Sequence, residues 1–249
     1  MTRHTYSASQ INNFMNEPIL WALKSLYKLK EPQNGYALRG TVFGDYLEQA
    51  VLAEEFMLDL SDDIKAKLLD ECDKNQCDMP AVTNIQEDWL AALAFFKKRK
   101  DKGWQNPQKA QSKIEFTIDS NLTVIGYLDL EYENAIIDIK YRNVLAPSSG
   151  KSTDLIQLAI YRKALGKAPF LVEICKGKVK LTSYFGDVLD HYYAIAKHNL
   201  LLMEDLRKQI MPYVANKDYS ILRCVSVHNP DYIGWFPEAK RILQENILP

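Results

Sequence analysis

Two aspartates and a lysine occupy positions that could do chemistry: Asp129, Asp138 and Lys140, within Gly126-Tyr127-Leu128-Asp129 and Ile137-Asp138-Ile139-Lys140. Between them, Glu133-Asn134 reads as the turn of an antiparallel hairpin. That turn opposes 132/135, 131/136, 130/137 and 129/138, so Asp129 faces Asp138 with Cβ atoms about 5 Å apart. Like charges placed this way destabilise a sheet. Strand alternation sends Asp138 and Lys140 to one face and Ile137 and Ile139 to the other. Two carboxylates and one ammonium therefore converge on a sheet otherwise built from Ile and Leu. Burying such a cluster is costly unless something compensates. A divalent cation does so, and hard carboxylate oxygens suit Mg²⁺ or Mn²⁺. The competing reading is a solvated sheet face on which Lys140 neutralises the two aspartates.

Several elements must position these residues. Apolar periodicity predicts a helix over 10–27, capped by Ser7 or Ser9 and interrupted near Pro18. Further helices are predicted over 41–57, 61–73 and 83–102. The period then shortens to two: strands are expected at 112–119, 123–132 and 135–141. A Pro/Ser/Gly-rich loop at 143–153 leads to a helix over 154–165. Strands at 170–175 and 178–185 follow, then a long amphipathic helix over 187–214 and a short one over 237–244. This order predicts an α/β fold: a central mixed sheet flanked by helices, with an N-terminal helical lobe. A single domain over 1–249 is expected, with the lobe over about 1–110, the sheet and its helix over 111–186, and C-terminal helices over 187–249.

Composition narrows the class further. The chain has 249 residues, 31 Lys+Arg against 32 Asp+Glu and a formal net charge of -1, which excludes a globally basic DNA-coating protein. The charges are unevenly spread, however. Lys97, Lys98, Arg99, Lys100, Lys102, Lys109 and Lys113 stand against Asp101 alone, while 54–73 is strongly acidic. The basic stretch is either a solvated helix end or a track for a nucleic-acid backbone. Trp104 within it either stacks on a base or plugs the helix end. Cys72, Cys77, Cys175 and Cys224 are too scattered for a disulfide framework or a metal knuckle. No apolar run is long enough to span a membrane, and a cytoplasmic location is expected. Gly150-Lys151-Ser152-Thr153 imitates the end of a phosphate-binding loop, but position 145, where that pattern needs Gly, is Leu.

The hairpin pattern resembles the metal site of the PD-(D/E)XK nuclease superfamily. The resemblance extends to three other segments, in the family's order, over roughly residues 7–165. Gln157 and Tyr161, four apart on one helix face, look like the Gln-x-x-x-Tyr helix of the RecB-like, lambda-exonuclease-like branch. Arg39-Gly40-Thr41 through Glu48 resembles its first motif, with Gly44 at the position of the family's His. Ser7-Ala8-Ser9 with Glu17-Pro18 resembles its N-terminal segment, with Glu17 where iron-sulfur members carry Cys.

The resemblance implies a restriction-endonuclease-like core and Mg²⁺-dependent hydrolysis of DNA, with Mn²⁺ as substitute and no iron-sulfur cluster. Asp129 and Asp138 would hold the metal, helped by the Ile139 carbonyl and by Glu48 or Asp45, Glu48 being preferred. Lys140 would orient water or stabilise charge on phosphate. Gln157 and Tyr161 would brace the site or touch phosphate, or simply pack an amphipathic helix on the sheet. Arg142 and Lys151 would contact DNA. The expected partner is DNA with a free end, in recombination, repair or replication, alongside a single-strand-binding or recombination protein and without a membrane. A phage-encoded enzyme would act in the host cytoplasm. A structure- or sequence-specific endonuclease and an inactive DNA-binding module are the alternatives; oligomeric state stays open.

Overall fold

The computed structural model describes residues 4–77, 82–119, 121–228, 233 and 236–246. Eight α-helices and six strands occur among them, running β1 (His4–Ser7), α1 (Ala8–Asn16), α2 (Pro18–Ser25), α3 (Gly35–Ala53), α4 (Ser61–Asn75), α5 (Ile85–Asp101), β2 (Lys109–Asp119), β3 (Leu122–Glu131), β4 (Ala135–Tyr141), α6 (Ser152–Leu165), β5 (Ala168–Cys175), β6 (Lys178–Ser183), α7 (Gly186–Val214) and α8 (Pro237–Asn246). The sheet is mixed, in the order β1-β3-β4-β5-β6 with β2 also on β3. The β1–β3 and β4–β5 pairs are parallel; β3–β4 and β5–β6 are antiparallel. This is the α/β, helix-flanked mixed sheet expected from the sequence.

The chain divides into two compact units. The first comprises Met1–Pro32, Phe116–Ile125 and His191–Pro249; the second comprises Gln33–Glu115 and Gly126–Asp190.

In the first unit, Ser7 caps α1 through a reciprocal box with Gln10. Pro18 opens α2 instead of bending one long helix, because its missing N–H is tolerated in a first turn. Glu17, between the two helices, is fully buried, and its carboxylate accepts the His228 backbone N–H. The short β1 was not expected; its four residues run parallel to Leu122–Ile125. The sequence offers Trp235-Phe236 as a packing anchor or an oligomer contact; Trp235 lies outside the described residues, and Phe236 is buried.

The same unit buries Glu204 under hydrogen bonds. Arg207 reaches both of its oxygens at 2.8 and 2.9 Å, and the Tyr6 hydroxyl donates at 2.6 Å. Arg207 above all, assisted by Tyr6, holds the carboxyl down from 4.5 to about 2. A depressed carboxylate pKa stabilises the fold above the unfolded value and loses that effect as pH falls through the folded value. Wild type is therefore expected to exceed Glu204→Gln by up to about 3 kcal/mol at pH 7. Urea titrations should show this margin shrinking between pH 4.5 and 2.

In the second unit, α3 begins six residues before its expected start, because Asn34 accepts the Tyr36 N–H at 2.8 Å and caps the first turn. One sheet face carries Leu130, Tyr132, Ile137, Ile139, Val172 and Ile174. These pack with Phe43, Leu47 and Val51 of α3 and Trp89, Leu93 and Phe96 of α5. Trp104 lies against Tyr132 and Phe170 with Arg99 over its ring, closing the end of this layer. The opposite face receives α6.

Candidate active site

The hairpin between β3 and β4 brings the two carboxylates close together. Leu130 pairs with Ile137 and Glu131 with Ile136. Beyond that pair the Ile139 N–H turns to the Asp129 carboxylate, which brings Asp129 into the field of Asp138. Asp138 is 1% exposed, and its Oδ1 has no hydrogen-bond partner among the described residues. Lys140 Nζ sits 2.7 Å from its Oδ2. Asp129 is half-buried, and its Oδ2 accepts the Ile139 N–H at 2.5 Å.

The electrostatics follow from this crowding. Burial first, then Asp138, pushes the Asp129 carboxyl up to about 7. Burial also raises Asp138, against the pull of Lys140. Burial works against the Lys140 ammonium, but Asp138 and Asp129 together hold it above its ordinary range. Lys140 is thus a fixed cation and donor.

Glu48 projects from α3 and is buried, whereas Asp45 is exposed. Burial and then Asp129 push Glu48 up to about 8. A Cβ at Gly44, where the family places His, would lie 3.7 Å from Glu48 Oε1, so that position borders the same carboxylate. Both Glu48 oxygens accept from Gln111 Nε2, at 2.9 and 2.7 Å. Gln111 lies within β2 yet has φ 49, a left-handed conformation unusual for a non-glycine residue in a strand. Sequence reasoning missed this residue, because nothing in a polar strand residue announces a kinked backbone.

A chain of hydrogen bonds runs from the site into α6. Lys140 Nζ donates to Gln157 Oε1 at 3.1 Å, and Gln157 Nε2 donates to the Tyr161 hydroxyl at 2.7 Å. Tyr161 donates to the Tyr127 carbonyl at 2.8 Å. Burial pushes the Tyr161 hydroxyl up to about 12, so it stays a donor. The four-residue spacing of Gln157 and Tyr161 therefore links the lysine to the backbone of β3.

Gly126 makes the linkage fit. A Cβ there would overlap the Tyr161 ring, reaching 3.1 Å from its hydroxyl oxygen and 3.2 Å from Cζ. Gly126→Ala is expected to cost about 1–3 kcal/mol, as overpacking does, and to uncouple Gln157 from Lys140. Trimming the ring with Tyr161→Leu should recover most of that stability without restoring activity. A double-mutant cycle of urea melts checks this.

Arg142 and Lys151 are not drawn into this cluster. Arg142 turns inward, its guanidinium 2.5 Å from Asp154 and 2.8 Å from Glu173. Lys151 is exposed at the start of α6.

No group of three or more His, Cys, Asp or Glu side chains converges on one metal position among the described residues. Glu48 shares the field of Asp129 and Asp138 while Gln111 holds its oxygens. The paired aspartates, with the orphaned Oδ1 of Asp138, fit a hard divalent cation.

The chain belongs to the PD-(D/E)XK nuclease superfamily, whose family model matches residues 5–194. That family implies a nuclease acting on nucleic acid, and its members generally use divalent metals. Among 15 matching chains of solved structures is the crystal structure of a candidate exonuclease from Eubacterium rectale, with TM-score 0.52 and 11% identity over 81% of this chain and 79% of that one. This similarity supports the fold. The structure of SSO0001 matches at TM-score 0.30 and 15% identity, over 75% of this chain and 84% of that one. No curated protein gives a significant sequence match. Among the described residues, no helix is long and apolar enough to cross a membrane.

Proposed function

We propose that this chain is a Mg²⁺-dependent DNA exonuclease of the RecB-like, lambda-exonuclease-like branch, acting at DNA ends in recombination, repair or replication. The carrying observation is Asp138: a buried carboxylate with an orphaned oxygen, facing Asp129 beside a lysine. Nothing in a merely structural hairpin requires that arrangement, and its cost needs a cation to offset it.

Asp129 and Asp138 would hold the cation, and the Ile139 carbonyl and Glu48 would complete the set. When bound, the metal polarises the scissile phosphate and acidifies a water. Lys140 donates to the developing phosphate charge. Gln157 and Tyr161 fix the direction of its ammonium. Lys151 contacts the DNA backbone from its exposed position. Arg142 acts from within, through its ion pairs. The preference for ends rests on the four-segment resemblance, and the name of the Eubacterium rectale protein points the same way. DNA with a free end is the substrate, and a single-strand-binding or recombination protein is a fitting companion.

A Mg²⁺ titration on end-labelled DNA tests the reading. Wild type should release nucleotides from linear DNA and leave covalently closed circles intact. Asp138→Ala and Lys140→Ala should be silent. Equal activity in all three proteins overturns the assignment, and cutting of the circles selects the endonuclease alternative.

A further inference from the structure

We propose that Gln111 is the positioning residue for Glu48, holding that carboxylate in the field of Asp129 and Asp138 as a ligand for the divalent cation. This rests on the nuclease reading above and adds to it the residue that places Glu48. Both Glu48 oxygens accept from Gln111 Nε2, at 2.9 and 2.7 Å. Among the described residues, Glu48 has no other hydrogen-bond donor and no cationic partner, although it is 3% exposed and Asp129 repels it.

The kind of donor bears on the role. An ionised carboxylate offers about four lone-pair sites. One amide nitrogen between the two oxygens takes a site on each and leaves the other open. An arginine or lysine in the same place would cancel the charge and compete with a metal ion. A neutral amide satisfies the buried oxygens and leaves the charge for a cation. Carboxylates that bind metals are oriented in this way, by hydrogen bonds from the residues behind them.

The backbone of Gln111 fits the same role. The residue shares the strand face of Lys109 and Lys113, and like them it is exposed overall. Its amide nonetheless ends on a buried carboxylate of α3. The φ of 49 is a left-handed conformation inside a strand. Such a break in a strand re-aims the side chain it carries, and it recurs beside active sites. Glycine would adopt that φ without cost; glutamine there accepts strain and supplies an amide.

The test measures Mn²⁺ binding to the whole chain through the electron paramagnetic resonance signal of the free ion. Cleavage of linear DNA by wild type with Mg²⁺ is established first; an inactive wild type overturns the nuclease reading and this one with it. With an active wild type, Gln111→Gly and Gln111→Met should each weaken Mn²⁺ binding about 10–100-fold. The Mg²⁺ concentration for half-maximal cleavage should rise in proportion. Glycine keeps the left-handed backbone without strain, and methionine keeps the length of the side chain, so a loss shared by both is the loss of the amide. In a Glu48→Gln background, Gln111→Gly should weaken Mn²⁺ binding no further, because its effect runs through Glu48. Unchanged Mn²⁺ affinity in either single variant overturns the proposal and leaves the nuclease reading standing. An equal further loss in the Glu48→Gln background also overturns it, since Gln111 would then act elsewhere than on Glu48.

Discussion

Asp138→Asn is expected to abolish Mg²⁺-dependent DNA hydrolysis, by about a thousand-fold or more, while raising the melting temperature by a few degrees. The two effects share one cause. Asp138 is almost fully buried beside Asp129, and each carboxylate makes the other harder to ionise. A carboxylate whose folded pKa is raised costs stability above that pKa, and the cost fades as pH falls toward the unfolded value. With Asp129 near 7 and its ordinary value 3.8, the advantage of the variant should be largest above pH 7 and vanish near pH 4. Asparagine keeps the shape of the side chain and removes the repulsion. Lys140 retains Asp129 nearby and its bond to Gln157. Mg²⁺ supplies a readout independent of catalysis. It should raise the melting temperature of wild type, as any ligand of the folded state does, and leave Asp138→Asn unmoved. A variant that is destabilised at pH 8, or that still responds to Mg²⁺, contradicts the cation role.

Legibility in the sequence followed the range of the interactions. The turn of the hairpin and its first pairs were legible, because a two-residue turn and a period of two set Leu130 against Ile137; the bond from the Ile139 N–H to the Asp129 carboxylate was not. The Gln157–Tyr161 pair was legible for the same reason, since helical spacing is local. The short β1 was not, because Tyr6 is its one buried apolar side chain and its partner lies more than a hundred residues away. Nor was the grip of Gln111 on Glu48, which depends on one unusual φ angle. Arg142 was read as a contact for DNA because it follows the lysine. Its inward turn depends on Glu173, whose place beside β4 is set only by the parallel β4–β5 pairing.

That pairing exposes the second strong dependence, on Glu173. In register across three strands stand Lys140, Glu173 and Lys180. Glu173 is fully buried. Its Oε1 lies 2.8 Å from Arg142 Nε and accepts the Ala146 N–H at 2.9 Å, while Lys180 Nζ is 3.5 Å from Oε2. Lys180 also donates to the Ala146 carbonyl at 2.9 Å, and Arg142 bridges to Asp154 at the start of α6. One carboxylate thus ties down both ends of the loop between Lys140 and the helix that carries Gln157. Removing it takes a carboxylate partner from Arg142 and from Lys180 and leaves the Ala146 N–H without its acceptor, and breaking a buried pair from one side costs about 3–5 kcal/mol. Glu173→Ala is therefore expected to lower the melting temperature by about 10 °C. It should also open the loop around Pro147 and Ser149 to protease. Glu173→Gln keeps the acceptor for Ala146 and should lose about 1–3 kcal/mol. If the loss runs through Lys180, Glu173→Ala with Lys180→Ala should cost clearly less than the sum of the single changes. Additive losses, or a loop no more open to protease than wild type, would show that Glu173 stabilises the sheet locally and leaves the placement of α6 to its apolar face.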